Sequence, residues 1–126
     1  MRVGLDRPEE EGGLMRVVEI RSYNLKPGTR DAFHRLVVER AMPLLARVKM
    51  DVVAHGPSPH DADSYYLMRS FPSLEDRRRE EDAFYGSAEW REGPRDAIMA
   101  LIEGYTTVVL ELDDPTLRGL RRDSRR

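Results

Sequence analysis

The sequence contains no cysteine among its 126 residues. Disulfides, thiolate nucleophiles and thiolate metal ligands are therefore excluded. No apolar run approaches the ~18 residues that a membrane-spanning helix needs, and residues 1–13 lack the apolar segment of a secretory signal. The formal net charge of −2 provides no general attraction to nucleic acid or to anionic membranes. We therefore expect a cytoplasmic protein with no nucleic-acid partner and no membrane partner.

Motifs of the common nucleotide-dependent and hydrolytic enzymes are also missing. The sequence has no P-loop, no glycine-rich dinucleotide turn, no nucleophile elbow and no zinc-protease helix motif. Basic stretches interleaved with stacking aromatic residues, which are typical of RNA-binding sheets, are absent as well. These observations predict neither a cofactor nor a metal.

The two ends of the chain differ in composition from its middle. Residues 1–14 are acidic and glycine-containing without periodicity, which predicts a flexible leader. Residues 114–126 are rich in arginine, which is typical of a solvated, disordered tail, although a basic tail can also contact acidic partners. The folded domain is predicted over residues 15–113, a usual length for one domain.

Hydrophobic periodicity predicts the element order β-α-β-β-α-β. β-branched and aromatic runs indicate strands over 15–25, 50–56, 64–71 and 105–112. Helical spacing indicates an amphipathic helix over 30–49, which Pro43 is expected to kink near Met42. Ser73 begins a charged helix with a capping box, Gly86 ends it, and two shorter helical segments follow before residue 104.

This order predicts a ferredoxin-like α+β domain in which helices cover one face of a four-stranded antiparallel sheet. In the first strand, Val18 and Ile20 point to one side, and Glu19, Arg21 and Tyr23 point to the other. We expect the helices to cover the side of Val18 and Ile20. The second face also carries apolar residues, so we expect it to pair with a second copy in a closed two-fold homodimer.

Four segments resemble the NIPSNAP family in the order that its domains have. They cover roughly residues 16–112 and are Val18–Gly28, Ala41–Leu45, Tyr66–Phe71 with Ser73–Glu75, and Phe84–Ser87 with Glu89 and Trp90. The resemblance implies a dimeric α+β barrel in which two sheets enclose a cavity. The wider superfamily includes cofactor-independent monooxygenases, haem enzymes, dehydratases, isomerases and binding domains, so the fold does not choose a function.

The strongest candidate site lies on the first strand. If Glu19, Arg21 and Tyr23 line an enclosed interior, the arginine can grip a carboxylate or an enolate, and the glutamate can act as a base. Arg69 on the third strand can join them, although the alternation does not settle which face it occupies. The alternative interpretation is an internal ion pair that holds the register of the sheet.

The histidines and one acidic turn provide further candidates. His55 can act as a base at the end of the second strand. His60 and Asp61, with Asp63, have a spacing that fits either a metal site or, more simply, a polar turn. His34 borders the apolar stripe of the first helix, where it is either a haem ligand or a partly exposed border residue.

Two features of the second helical region also allow two interpretations each. Phe84, Tyr85 and Trp90 can form a lid over a cavity, with Trp90 contacting a ligand, or they can anchor the helix break to the core. The basic run 77–79 is flanked by acidic residues, which favours a solvated helix face over a phosphate site.

Our leading hypothesis is a NIPSNAP-like homodimer that binds a small organic molecule in a partly polar barrel cavity, with Arg21, Tyr23, Arg69 and Trp90 as its contacts. The alternative is a cofactor-independent monooxygenase, isomerase or dehydratase acting on a small acidic or polyketide-like substrate. In that case Glu19 or His55 is the base, Arg21 the anion clamp and Tyr23 a hydrogen-bond donor. A structural interaction module with a filled interior is the third hypothesis.

Overall fold

The computed structural model describes residues 15–121, and the leader predicted over residues 1–14 lies outside this part of the chain. Four strands form one antiparallel sheet in the order β2-β3-β1-β4. Their bounds are Met15–Leu25 (β1), Asp51–Pro57 (β2), Ser64–Phe71 (β3) and Ile102–Asp113 (β4). The predicted α+β, ferredoxin-like order is confirmed. The last strand begins earlier than predicted, so residues 102–104 belong to the sheet and not to a helix.

The first helical region is interrupted by a wide turn just before its proline. It consists of α1 (Arg30–Leu36), a π-helical segment (Val37–Ala41) and α2 (Met42–Arg47). Pro43 has no N–H group, and its ring crowds the carbonyl of Glu39 four residues earlier. The π-helical turn contains Glu39, so the backbone is loosened where the proline ring needs space.

The second helical region is three short helices with serine caps at two of their starts. They are α3 (Leu74–Tyr85), α4 (Ala88–Arg91) and α5 (Arg95–Met99). The Ser73 hydroxyl oxygen accepts a hydrogen bond from the Asp76 N–H at 3.0 Å, and its O–H donates to the Asp76 carboxylate at 2.8 Å. The predicted cap is therefore present, and it satisfies a backbone N–H group in the first turn of α3.

Helices α1–α5 pack on the sheet face that carries Tyr23 and Leu25. The apolar stripe of the first helical region meets this face in one cluster, formed by Tyr23, Leu25, Phe33, Val37, Ala41, Leu45, Met50, Tyr65, Leu67, Phe71, Phe84, Trp90 and Ile98. The prediction that helices cover the side of Val18 and Ile20 is therefore wrong. Glu19, Arg21 and Tyr23 lie between the sheet and the helices of the same chain.

The third strand explains this choice of face. Tyr65, Leu67 and Phe71 alternate onto one side of β3, where they offer large apolar surfaces to the helices. The other side of β3 carries Tyr66 and Met68 between Ser64 and Ser70, so its apolar surface is smaller and less continuous. Because β1 pairs with β3 in fixed register, this preference also decides which side of β1 is covered.

A short helix occupies the start of the predicted tail. Helix α6 (Asp114–Leu120) is capped by the Asp113 carboxylate, which accepts the Thr116 N–H at 2.9 Å. Leu117 is buried against Val18 and Val53 on the sheet face opposite α1–α5. The prediction of disorder is therefore wrong for these residues, and the rest of the tail lies beyond the described part. Within residues 15–121, no helix combines the length and hydropathy needed to cross a membrane.

Beyond α6, the same sheet face is left open. We call this surface the open face; it includes Ile20, Tyr66, Met68, Val108 and Leu110, which share one side by the strand register. Val108 and Leu110 are 53% and 41% exposed. Ile20, Tyr66 and Met68 are half-buried and extend this exposed apolar surface across the neighbouring strands, which favours a partner that covers it.

Replacing Phe33 with alanine tests whether the aromatic contacts anchor the helices to the sheet. The Phe33 ring lies 5.4 Å from that of Tyr23 and 5.0 Å from that of Tyr65. We expect Phe33→Ala to lower the free energy of unfolding by about 3–5 kcal/mol, because a buried cavity replaces the ring. Urea denaturation measures the loss. Val38→Ala, at an exposed position of the same region, should change stability by less than about 0.5 kcal/mol, and equal losses would contradict this packing.

Candidate functional site

The site is built around a carboxylate that is fully buried between the sheet and α3. Glu19 on β1 and Arg69 on β3 are direct cross-strand partners, and both are 0% exposed. Arg69 donates to Glu19 Oε1 from Nε at 3.1 Å and from Nη2 at 2.6 Å. Two donors of one guanidinium on one carboxylate oxygen form a strong, charge-assisted contact.

Two more arginines approach the other oxygen of the same carboxylate. Arg77 on α3 donates to Glu19 Oε2 from Nε at 2.9 Å, with Nη2 at 2.8 Å. Arg21, two residues along β1, donates from Nη2 at 3.4 Å. The carboxylate of Glu19 is therefore compensated from the strand beside it, from its own strand and from the helix above, as a buried charge requires.

Glu81 completes this group, one helical turn after Arg77. Its carboxylate oxygens lie 3.2 Å from Arg69 Nη2, 3.7 Å from Arg77 Nη2 and 3.9 Å from Arg21 Nη2. The buried Oε2 atom of Glu81 has no hydrogen-bond partner, so these contacts are ion pairs only. The five residues Glu19, Arg21, Arg69, Arg77 and Glu81 are called the arginine–glutamate cluster below.

The two carboxyl groups of this cluster have opposite pKa shifts. Burial alone would raise the pKa of Glu19, but a hydrogen bond with Glu81 and the charges of Arg69 and Arg21 outweigh it and lower the pKa to about 2. Burial raises the pKa of Glu81 to about 7, and the hydrogen bond with Glu19 adds to the shift. Near neutral pH the pair therefore holds one proton on Glu81 for part of the time.

A cleft of about 360 Å³ opens beside the arginine–glutamate cluster, between the β1–β4 edge of the sheet and α3–α5. Its lining is aromatic and apolar with a charged end, and consists of Arg21, Tyr23, Glu81, Asp82, Tyr85, Trp90, Arg95, Ile98, Met99, Ile102 and Tyr105. Mixed walls of this kind are typical of small-molecule sites.

Arg21 is the residue that links the buried charges to the cleft. Its Nε atom donates to Thr107 Oγ1 at 3.4 Å, and its guanidinium carbon lies 4.7 Å from the centre of the Tyr105 ring. Stacking on an aromatic face and bonding to Glu19 leave little freedom to the side chain. The guanidinium therefore presents a positive charge at the cleft in a fixed position.

The predicted site residues divide into two groups. Arg21, Tyr23 and Trp90 line the cleft, whereas Glu19 and Arg69 are buried behind its wall. The position of Arg69 on the same face as Glu19, left open by the sequence, follows from their direct pairing. Burial raises the pKa of Tyr23 to about 12, so its phenol is a hydrogen-bond donor at neutral pH and not an anion.

Two contributors from α3, Arg77 and Glu81, are not among the candidates that the sequence offers. The prediction of a solvated helix face is wrong for both, because each contacts Glu19 or Arg69. Tyr85 also receives a hydrogen bond from Arg69 Nη1, at 2.8 Å. The signal was present in the spacing, because residues 77, 81 and 85 recur every four positions and share one helix face.

The aromatic residues around the helix break pack tightly on one another. The Phe84 ring lies 5.0 Å from Tyr85 and 5.4 Å from Trp90, and Tyr85 lies 5.4 Å from Trp90. Phe84 is buried in the core, which supports its role as an anchor. Tyr85 and Trp90 also form cleft wall, so the same cluster that holds the break in place shapes the cleft.

His55 lies in a separate polar group, away from the residues that line the cleft. The Tyr65 hydroxyl lies 2.7 Å from His34 Nδ1 and 3.0 Å from His55 Nδ1. The phenol has one hydrogen to donate, so one imidazole accepts it at Nδ1 and the other donates from Nδ1. Burial and the neighbouring His34 lower the pKa of His55.

The acidic turn after β2 uses its side chains to hold the loop. Asp61 accepts from the Asp63 N–H at 2.8 Å and from the Ser64 hydroxyl at 2.9 Å, and Asp63 accepts from the Gly28 N–H at 3.1 Å. Among residues 15–121, no group of three or more histidine or acidic side chains is placed to hold a metal ion. These contacts are those of the polar turn that the sequence allows as one interpretation of His60, Asp61 and Asp63.

Comparison with known protein families identifies one family for this chain. The NIPSNAP family model matches residues 18–108 of this chain. A comparison with curated protein sequences finds no match.

Solved structures share the fold at low sequence identity. A NIPSNAP family protein of unknown function from Agrobacterium tumefaciens aligns with a TM-score of 0.71 and 21% identity, covering 78% of this chain and 88% of that one. A NIPSNAP-like domain protein from Burkholderia xenovorans aligns with a TM-score of 0.70 and 21% identity, covering 75% of this chain and 83% of that one. A proposed antibiotic biosynthesis monooxygenase from Bordetella bronchiseptica aligns with a TM-score of 0.61 and 22% identity, covering 75% of this chain and 94% of that one.

Glu81→Gln tests the raised pKa of Glu81 through the pH dependence of stability. The folded state holds a proton on Glu81 up to a pKa of about 7, against an ordinary value of 4.5. The free energy of unfolding of the natural protein should therefore fall as pH rises between these values. Glutamine cannot ionise, so the variant should gain roughly 1–3 kcal/mol relative to the natural protein between pH 5 and pH 8.

Urea denaturation at the two pH values measures this difference. Glu75→Gln is the matched control, because Glu75 is an exposed residue of the same helix; it should show no comparable change. A stability difference between Glu81→Gln and the natural protein that is equal at pH 5 and pH 8 would exclude a shared proton in the arginine–glutamate cluster.

Proposed function

Because the chain belongs to the NIPSNAP family and carries a partly polar cleft, we propose that it binds a small organic molecule in that cleft and acts as a homodimer. The single observation that supports binding is the composition of the cleft, in which a fixed guanidinium faces aromatic walls. The ligand this composition favours is a small, flat organic molecule with an anionic oxygen at one end.

The aromatic and apolar walls provide most of the surface that such a ligand would contact. Tyr85, Trp90 and Tyr105 offer ring faces, and Ile98 with Met99 closes the side formed by α5. Aromatic faces bury area at little entropic cost, because these side chains have few rotatable bonds. A volume of about 360 Å³ suits a molecule of roughly a dozen heavy atoms.

The charged end favours an anion. In the arginine–glutamate cluster three guanidinium groups face two carboxyl groups. Arg95 also lines the cleft, but its charge is paired with Asp96 at 2.8 Å. Asp82 offsets part of this charge. The remaining excess at Arg21 would attract a carboxylate or an enolate, which a planar guanidinium can hold through two hydrogen bonds.

Replacing Arg21 with methionine tests the ligand proposal. Arg21→Met keeps a flexible side chain of similar length but removes the charge. Binding of phenylpyruvate, a flat aromatic molecule with a carboxylate at one end, should therefore weaken by about tenfold or more. Isothermal titration calorimetry measures the affinity, and native mass spectrometry of the purified protein detects any co-purified small molecule. Arg78→Met, at an exposed position of α3, should bind like the natural protein.

Two results would overturn the ligand proposal. The first is unchanged affinity, or unchanged retention of a co-purified molecule, in Arg21→Met. The second is a natural protein that retains no small molecule and binds neither phenylpyruvate nor simple aromatic acids such as benzoate and phenylacetate. A cleft without any ligand would favour the structural interaction module.

The open face supports the homodimer proposal. Val108 and Leu110 on β4 continue the apolar surface of Ile20 and Met68 across neighbouring strands. Helix α6 already covers the adjoining part of the sheet through Leu117, against which Ile20 and Met68 are partly buried, so the exposed apolar area lies mainly on β4. A second copy presents the same surface, and face-to-face pairing about a two-fold axis would bury both at once.

Leu110→Glu tests the homodimer. A carboxylate within a paired surface would be desolvated twice, once in each copy, so the variant should run as a monomer. Size-exclusion chromatography with light scattering gives the mass. Val38→Glu places the same charge on an exposed apolar residue of the helical layer and should leave the dimer intact. A natural protein of monomer mass would contradict the proposal.

A further inference from the structure

We propose that Glu81 is the acid–base residue of the cleft and that the protein catalyses proton transfer at carbon in a small, enolisable carbonyl compound held by Arg21. This inference rests on the ligand proposal and adds a reaction to it. It concerns isomerisation or tautomerisation, which requires a base, an oxyanion clamp and no redox cofactor.

Glu81 is placed where a catalytic carboxyl group needs to be. It lines the cleft and keeps 12% of its side chain exposed, so it can contact a bound molecule. The guanidinium of Arg21 lies 3.9 Å from Glu81 Oε1 and lines the same cleft. A ligand whose oxygen is bound by Arg21 would therefore have its neighbouring carbon atoms close to the Glu81 carboxyl group.

Glu19 cannot serve as this base, although the sequence made it a candidate. It is fully buried, and its two oxygens accept hydrogen bonds from Arg69, Arg77 and Arg21. A carboxylate held by three guanidinium groups is a very weak base. Its place is behind Glu81, and its negative charge makes Glu81 the more basic member of the pair.

The protonation of Glu81 agrees with this role. A base works best when its pKa lies near the working pH, because the reactive form is then both populated and basic enough. Burial, with the hydrogen bond to Glu19, raises the pKa of Glu81 to about 7. At neutral pH the same group is available as a carboxylate to take a proton and as an acid to return one.

The proposed step is balanced without a further reactant. The Glu81 carboxylate removes a proton from the carbon next to a carbonyl group, the C–H electron pair forms the new C=C bond, and the carbonyl oxygen becomes an enolate oxyanion. Arg21 stabilises the developing charge on that oxygen. Glu81, now a carboxylic acid, returns the proton to carbon or to the oxygen, which completes the tautomerisation with no net change in oxidation state.

Phenylpyruvate is a suitable probe for this chemistry. Its phenyl ring matches the aromatic walls of Tyr85, Trp90 and Tyr105. Its carboxylate and keto oxygens match Arg21, and its C3 protons are acidic. In D₂O, proton NMR follows the replacement of these protons by deuterium, and exchange in buffer alone is subtracted. We expect the full-length natural protein to accelerate this exchange, with a pH profile that rises through about pH 7 as Glu81 ionises.

Glu81→Gln separates catalysis from binding. The variant should bind phenylpyruvate within a fewfold of the natural affinity but lose about 100-fold or more of the accelerated exchange, together with its pH dependence. Glu75→Gln should exchange and bind like the natural protein. Circular dichroism confirms that both variants are folded, and the Glu81→Asp variant, which keeps a shorter carboxyl group, should recover part of the rate.

The outcomes distinguish the reaction from the binding on which it rests. Phenylpyruvate that binds to the natural protein without faster exchange would overturn the proton-transfer proposal and leave the ligand proposal intact. Exchange that survives in Glu81→Gln would show that another group is the base. A natural protein that binds no phenylpyruvate and no other aromatic acid would overturn both proposals together.

Discussion

The buried carboxylate of Glu19 is the constraint on which this structure depends. It can be ionised inside the protein only because Arg69, Arg77 and Arg21 surround it. These three arginines come from β3, from α3 and from β1. Because all three must contact the Glu19 carboxylate to compensate its charge, they hold the helical layer at a defined position on the sheet. Removing one of the three would leave the buried carboxylate with less compensation, which is more costly than losing a surface ion pair.

The same constraint shapes the cleft beside the arginine–glutamate cluster. Because Glu19 is saturated with donors, Glu81 is left as the second, less compensated carboxyl group, with one buried oxygen that accepts no hydrogen bond. Arg21 belongs both to the cluster and to the cleft wall, so its position is set before any ligand arrives. A charged group held in place in this way can bind without reorganising, which is the usual advantage of a preformed site.

The two faces of the sheet thus have different tasks. The covered face holds the aromatic core, the arginine–glutamate cluster and the cleft, all within one chain. The open face is apolar without buried charges and suits association with an identical surface. The alternation of β1 alone predicts the charged residues between two subunits instead, because β1 carries apolar side chains on both sides and its pattern does not distinguish them.

The order of the sheet elements, most of the strand bounds, the serine cap of α3 and the resemblance to the NIPSNAP family can be read from the sequence, because these depend on local periodicity and on short motifs. The sequence also identifies Glu19, Arg21 and Tyr23 as neighbours, since alternate residues of a strand share a side. The covered face, the pairing of Glu19 with Arg69 and the contribution of Glu81 were decided by tertiary structure. Each depends on strand register and helix packing between residues distant in sequence, where side chains compete for one interior.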